Sequence, residues 1–173
     1  MSLFSIWLIP CEQDSRRLRQ MIEALSRPHG AVPFDPHVTV ISGETGDPDA
    51  VHALVKRVAS RTSPFVLDVG GISCTESFFK SVFLTFEQSA ALNRLHGSLR
   101  SRIEEHPGYR FFPHLSLLYC DMPLEDKRWL AGTVDAGMGP IRFSGLRTTT
   151  PGTEQGWRDV AAWRVVGTAR LSA

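Results

Sequence analysis

The chain has 173 residues, 42% hydrophobic and 21% charged, with a formal net charge of +1 at pH 7. That length suits one globular domain, or two small lobes sharing a core. Near-neutral charge argues against a protein that holds long nucleic acid by charge alone, and leaves room for a small anionic ligand bound by local donors.

In chain order, SIWLIP (5–10) reads as a strand bounded by Pro10. A helix follows over 12–28, with Leu18, Met21, Ile22 and Leu25 on one face, and His29-Gly30 ends it. PHVTVISG (36–43) is a strand. A second helix begins near Asp47-Pro48, with Asp as cap, Pro in the first turn, and Val51, Leu54, Val55 and Val58 on the apolar face. PFVLDVGGIS (64–73) closes the series as one strand. The cycle then repeats: strand 81–86, helix 89–106 with Leu92, Leu95, Leu99 and Ile103, strand 110–119, helix 123–136 and strand 139–149. TTTPGTEQGW (148–157) reads as a loop, and WRDVAAWRVVG (157–167) as a final strand.

Equivalent landmarks recur at one offset. Ser5 to Ser81 is 76 residues, His37 to His114 is 77, and Pro64 to Pro140 is 76. Such self-similarity marks a duplicated β-α-β-α-β unit. The expected organisation is a single domain over 1–173 with two pseudo-symmetric lobes, roughly 1–76 and 77–173, with room for strand exchange between them. A pseudo-twofold axis would bring the two histidine strands to one cleft.

The repeat carries the chemistry. FDPHVTV (34–40) places His37 and Thr39 on one strand face and Val38 and Val40 on the other; FFPHLSL (111–117) repeats this with His114 and Ser116 against Leu115 and Leu117. The aliphatic faces read as core and the His/Thr and His/Ser faces as a shared site. Near neutral pH one histidine can accept a proton from water while the other donates one to a leaving alkoxide. The hydroxyls of Thr39 and Ser116 can donate to phosphate oxygens, so phosphodiester hydrolysis fits. His96-Gly97-Ser98 shares the letters but lies in a helical segment and reads as structural or surface. His29, His52 and His106 read as solvated.

Metal chemistry is the main rival. Neither motif carries a third ligand at the spacing zinc needs, so no metal and no cofactor are expected. Asp35, two before His37, would share its face and orient it; the second repeat has Phe112 there. Cys11, Cys74 and Cys120 form no C-x-x-C pair, and the opening MSLFSIWLIPCEQD suits neither a signal peptide nor a membrane span. A cytoplasmic, monomeric protein without a membrane partner is the expectation.

Taken with SIWLIP, SFFKSVFL (77–84) and EQGWRDVAAWRV (154–165), the paired motifs resemble those of the two-histidine (2H) phosphoesterases, in particular the cyclic phosphodiesterase branch. The resemblance implies a bilobal α+β fold, with antiparallel sheets lining a central cleft and helices outside. It also implies metal-independent opening of cyclic phosphates. Expected partners are nucleoside 2′,3′-cyclic phosphates, opened to 2′-phosphates, and the ADP-ribose derivative ADP-ribose 1″,2″-cyclic phosphate. His37, Thr39, His114 and Ser116 map onto the family's catalytic positions. Phe79 matches a base-stacking aromatic, with Tyr119 and Trp157 as further substrate-binding candidates. Lys80-Ser81 stands where plant relatives commonly have Gln-Cys. Two alternatives remain open: action on an RNA 3′ end, at a terminal cyclic phosphate or a 2′-5′ linkage, and a noncatalytic nucleotide-binding module.

Overall fold

The computed structural model describes residues 2–135, 139–153 and 156–173. Strand periodicity builds its centre. In β1 (Ser2–Pro10), Ile6 and Leu8 are wholly buried in the apolar core, while Ser5 and Trp7, one step out of phase, line a cleft. The helix α1 (Glu12–Ser26) packs Leu18 and Ile22 into the core and ends in a short 3₁₀ turn at Gly30, whose φ of 61° suits a residue without a Cβ.

β2 (Val38–Thr45) buries Val38 and Val40, and α2 (Pro48–Ala59) starts where Asp47 accepts the Ala50 N–H at 3.0 Å. β3 (Phe65–Leu67) and β4 (Val69–Ser73) follow, then β5 (Val82–Phe86), α3 (Ala90–Arg100), β6 (His114–Leu118), α4 (Leu124–Thr133), β7 (Ile141–Thr150) and β8 (Arg164–Arg170).

All strand pairs among the described residues are antiparallel, in the order β3-β7-β1-β2-β6-β5-β4, with β8 also on β7. The fold is α+β. The eight strands form one sheet, whose two halves meet at β2 and β6, which share one registered pair, Val38 with Leu115. α1 packs against β1 and β6, and α3 against β2, so the apolar faces of these helices cover one side of the seam. The other side is the cleft.

Three elements differ from the sequence expectation. The stretch 64–73 is two strands, broken at Asp68: β3 joins β7 at one end of the sheet order and β4 joins β5 at the other. One extended run thus serves both ends and brings the sheet close to closure. The helix expected over 89–106 stops at Arg100, because the following segment turns so that the His106 N–H reaches the Ser42 carbonyl at 2.9 Å. Ile103 still packs on the core. The last strand begins at Arg164. Residues 156–158 and 160–162 form 3₁₀ turns instead, tied by the Trp163 indole N–H donating to the Trp157 carbonyl at 2.8 Å. Ala136, expected to end α4, and Glu154 and Gln155 of the expected loop lie outside the described residues.

Among the described residues no helix is long and apolar enough to cross a membrane. The three cysteines are unpaired.

Lys127 on α4 is completely buried, and its ammonium donates to the carbonyls of Glu76 and Ser77 at 2.9 and 3.2 Å. These bonds hold the turn that leads to Phe79 and Lys80. Lys127→Met removes both donors; Ser77 keeps the Lys80 N–H and the Ser81 hydroxyl, but the Glu76 carbonyl is left unmatched, which should lower unfolding free energy by about 1–3 kcal/mol in a urea titration.

Candidate active site

Register at the seam fixes the geometry of the paired motifs. Val38 faces Leu115 across antiparallel strands, so His37 stands across from Ser116 and Thr39 across from His114. The two histidines therefore occupy one diagonal of a four-residue patch and the two hydroxyls the other. Diagonal neighbours of this kind lie roughly 7–8 Å apart at the backbone. An atom bound between the rings would have one imidazole on either side of it.

Both imidazoles are held alike. The Nδ1 of His37 lies 2.7 Å from the Asp35 carbonyl, and that of His114 lies 2.7 Å from the Phe112 carbonyl. A carbonyl only accepts, so each Nδ1 carries the proton and each Nε2 is the free acceptor of the neutral ring. Both anchors lie two residues upstream, with the proline of the motif between. The expectation that Asp35 orients His37 therefore holds through its backbone and not through its carboxylate, which is engaged elsewhere.

The surroundings of the two rings differ. His37 is only 6% exposed and stacks on Trp7, ring centroids 3.8 Å apart and planes 11° from parallel. Burial, together with the positive fields of His114 and Arg147, brings its pKa from 6.5 down to about 4, against the raising effect of the Asp35 carbonyl bond. His114 meets Phe83 and Phe112. Burial and the Lys80 ammonium lower its pKa as well. In the free protein at pH 7 both rings are mostly neutral.

The cleft measures about 430 Å³. His37, Thr39 and His114 line it, with Lys80 and Arg110 as its cations and no carboxylate among its described lining residues. One end is polar: Ser5, Ser42 and Thr39 stand near Tyr109, whose hydroxyl donates to the Thr39 and Val40 carbonyls at 3.2 and 3.0 Å. The other end is aromatic. Trp163 meets Trp7, Tyr119 and Trp157 edge-on, and Phe79 lies edge-on to Tyr119.

The remaining sequence candidates are placed as follows. Ser116 lies on the cleft side of β6 but is covered, 3% exposed, with its hydroxyl donating to the Phe79 carbonyl at 2.8 Å. Tyr119, just past the end of β6, reaches the cleft there and stacks on Phe34 at 3.9 Å; burial pushes its phenol well up, so it stays protonated. Phe79 and Trp157 are cleft residues. The helical His96 is structural, stacked on Phe111 and 2.7 Å from Glu105. His52, read from sequence as solvated, is partly buried because its Nδ1 meets the Thr148 hydroxyl at 3.1 Å.

Sequence reasoning missed Trp7 and Trp163. Trp7 had a signal: it alternates in phase with Ser5 on a strand whose other face is Ile6 and Leu8. Trp163 had none, since it stood inside an expected strand. Among the described residues no three His, Cys, Asp or Glu side chains converge in a metal-binding group.

Comparison with known proteins places this geometry in context. The family described as the 2'-5' RNA ligase superfamily matches residues 8–136. A cyclic phosphodiesterase of Arabidopsis thaliana is 23% identical, over 98% of this chain and 96% of its own. Two solved structures have the same fold. The protein TT0787 of Thermus thermophilus matches at TM-score 0.63 and 19% identity, over 99% of this chain and 98% of its own. LigT of E. coli complexed with 3'-AMP matches at TM-score 0.62 and 15% identity, over 99% of both chains.

The depressed His37 pKa has a consequence for stability. Unfolding restores a value near 6.5, so between pH 6.5 and about 4 the unfolded chain binds a proton that the folded site refuses. His37 therefore favours unfolding progressively as pH falls through that window, approaching about 3 kcal/mol at its lower end. His37→Gln should flatten the slope of stability against pH between 6.5 and 4, read by chemical denaturation at several pH values.

Proposed function

The chain belongs to the 2'-5' RNA ligase superfamily and is an enzyme of the two-histidine phosphoesterase kind, and we propose that it hydrolyses cyclic phosphodiesters by acid–base catalysis between His37 and His114. The observation that carries this is the pair of imidazoles set on a diagonal across the seam, each with Nδ1–H donated to a carbonyl and Nε2 free. The preferred substrates are a nucleoside 2′,3′-cyclic phosphate or an ADP-ribose 1″,2″-cyclic phosphate. A plant relative named cyclic phosphodiesterase supports the reaction class. LigT, crystallised with 3'-AMP, ATP and NADP+, supports a nucleotide-sized ligand.

The chemistry follows from the protonation states. A cyclic phosphate carries one negative charge. Bound between two neutral imidazoles, it raises the pKa of both and draws in one proton. The ring left neutral takes a proton from water at Nε2 as the water oxygen attacks phosphorus. The protonated ring gives its Nε2 proton to the departing ribose oxygen, O3′, which leaves a 2′-phosphate. The diagonal arrangement allows attack and departure on opposite sides of phosphorus. Thr39 donates to a non-bridging oxygen; Ser116 does so once its proton leaves the Phe79 carbonyl for the phosphate. Trp157 and Trp163, with Phe79 and the edge of Tyr119, offer the aromatic end to a base. No cofactor takes part.

A second reading is favoured by the charge of the cleft. Lys80 and Arg110 line it without an acidic neighbour among the described lining residues, which suits a further phosphate of an RNA 3′ end carrying a cyclic phosphate or a 2′-5′ linkage. Comparing turnover of a mononucleotide with that of a short oligomer ending in the same group separates the two. A preference for the oligomer would favour the RNA end.

The deciding experiment is hydrolysis of a nucleoside 2′,3′-cyclic phosphate in excess chelator. Activity should survive chelation and yield the 2′-phosphate, and His37→Ala and His114→Ala should each lower kcat by about 10²–10⁴-fold. Activity lost on chelation would sink the metal-free mechanism. Tight nucleotide binding without turnover of any of these substrates would leave a binding module in its place.

A further inference from the structure

The two catalytic imidazoles hang from carbonyls that are not equally secured. Phe112, which holds His114, is 47% exposed and is steadied by ring contacts with Phe83 and the Lys80 ammonium. Asp35, which holds His37, is tied down by ions. Its Oδ2 accepts from Arg147 Nη1 at 2.6 Å and its Oδ1 from Arg19 Nε at 3.3 Å. Arg19 comes from α1 and Arg147 from β7, so one carboxylate is held between a helix and a strand on either side of the loop that enters β2.

Arg147 is itself fixed. It lies in register with Trp7 on the neighbouring strand, and its Nε donates to the Thr168 hydroxyl at 3.3 Å. Its side chain is 19% exposed, against 41% for Arg19. A charge-assisted bond at such a partly buried site is stronger than one on an open surface. Neither arginine lines the catalytic cleft. Both face an adjoining cavity of about 390 Å³ that shares Trp7 and Trp163 with it.

We propose that Arg147, assisted by Arg19, is a positioning residue that holds His37 in its working orientation by clamping Asp35. The path is short. The guanidinium fixes the Asp35 carboxylate, the carboxylate fixes the backbone of residue 35, and the carbonyl of that residue fixes the His37 Nδ1–H. Trp7 restrains the ring plane from one face, and the carbonyl bond sets its rotation within that plane. Loss of the clamp frees the rotation without emptying the cleft, so transition-state geometry suffers and substrate binding does not. The inference rests on the reading of His37 as a proton-transfer group.

The test pairs kinetics with ¹⁵N NMR of the histidine rings. In the wild type, under mildly alkaline conditions, both His37 and His114 should show a single neutral tautomer protonated at Nδ1. In Arg147→Met, His37 should become a mixture of tautomers while His114 stays unchanged, and kcat should fall about 10- to 100-fold with KM within about twofold. Arg147→Lys, which keeps a cation beside Asp35, should recover most of the loss. Arg19→Met, at an exposed site that tolerates substitution, should move both readouts less and in the same direction. It decides the matter should Arg147→Met not fold. A His37 tautomer unmoved in the folded variants, or a rise in KM that accounts for the loss, overturns the proposal. The spectra need no substrate, so a wild type inactive on cyclic phosphates would sink the proposed function while the ring signals still decide the clamp.

Discussion

A single backbone pairing organises the molecule. Val38 and Leu115 face each other where β2 meets β6, and beyond them each strand turns to its own neighbours, β1 and β5. Because a strand alternates its faces, that one pair commits the valines and leucines to the helical side and both histidines to the other. A slip of one residue on either strand would send an imidazole into the core and an aliphatic side chain into the cleft. The fully buried Val38, Val40, Leu115 and Leu117 oppose such a slip, so the packing that stabilises the fold also aligns the two imidazoles.

The site that results is drier than its polar residues suggest. Trp7, Phe34 and Trp163 surround His37 with rings, while further aromatics, hydroxyls and two cations line the rest of the cleft. Burial in this setting lowers the pKa of both imidazoles. The two rings share a tautomer and an anchoring rule but not a setting. His37 is enclosed and ionically braced, and His114 borders an exposed aromatic and a lysine. Equivalent positions of the two motifs thus carry groups in non-equivalent surroundings.

Much of this was legible in the sequence, for definable reasons. Period-two alternation in PHVTV and PHLSL assigned faces without any knowledge of partners, and the near-constant offset between the halves brought the two motifs to one place. Asp47-Pro48 and His29-Gly30 marked helix ends through local chemistry that needs no tertiary context. What escaped was set by contacts distant in sequence. Asp68 breaks an apparently continuous strand because its two sides are claimed by β7 and β5. The stretch 157–163 looks extended, yet it curls to pack Trp163 among Trp7, Phe34 and Tyr119. The covered position of Ser116 depends on a turn nearly forty residues away, and the role of Asp35 passes through its backbone, which no side-chain pattern announces.

Strands cross between the halves of the chain: β7, from the second half, pairs with β1, and β4, from the first, pairs with β5, while β3 of the same stretch stays on the β1 side beside β7. Neither half of the chain therefore owns all the strands beside its histidine. A polypeptide of either half alone would lack the strand partner that the other half supplies across the β2–β6 seam. With both Pro-His motifs on one chain, each can be changed without the other, and one cleft holds an enclosed His37 beside a His114 that borders the exposed Phe112.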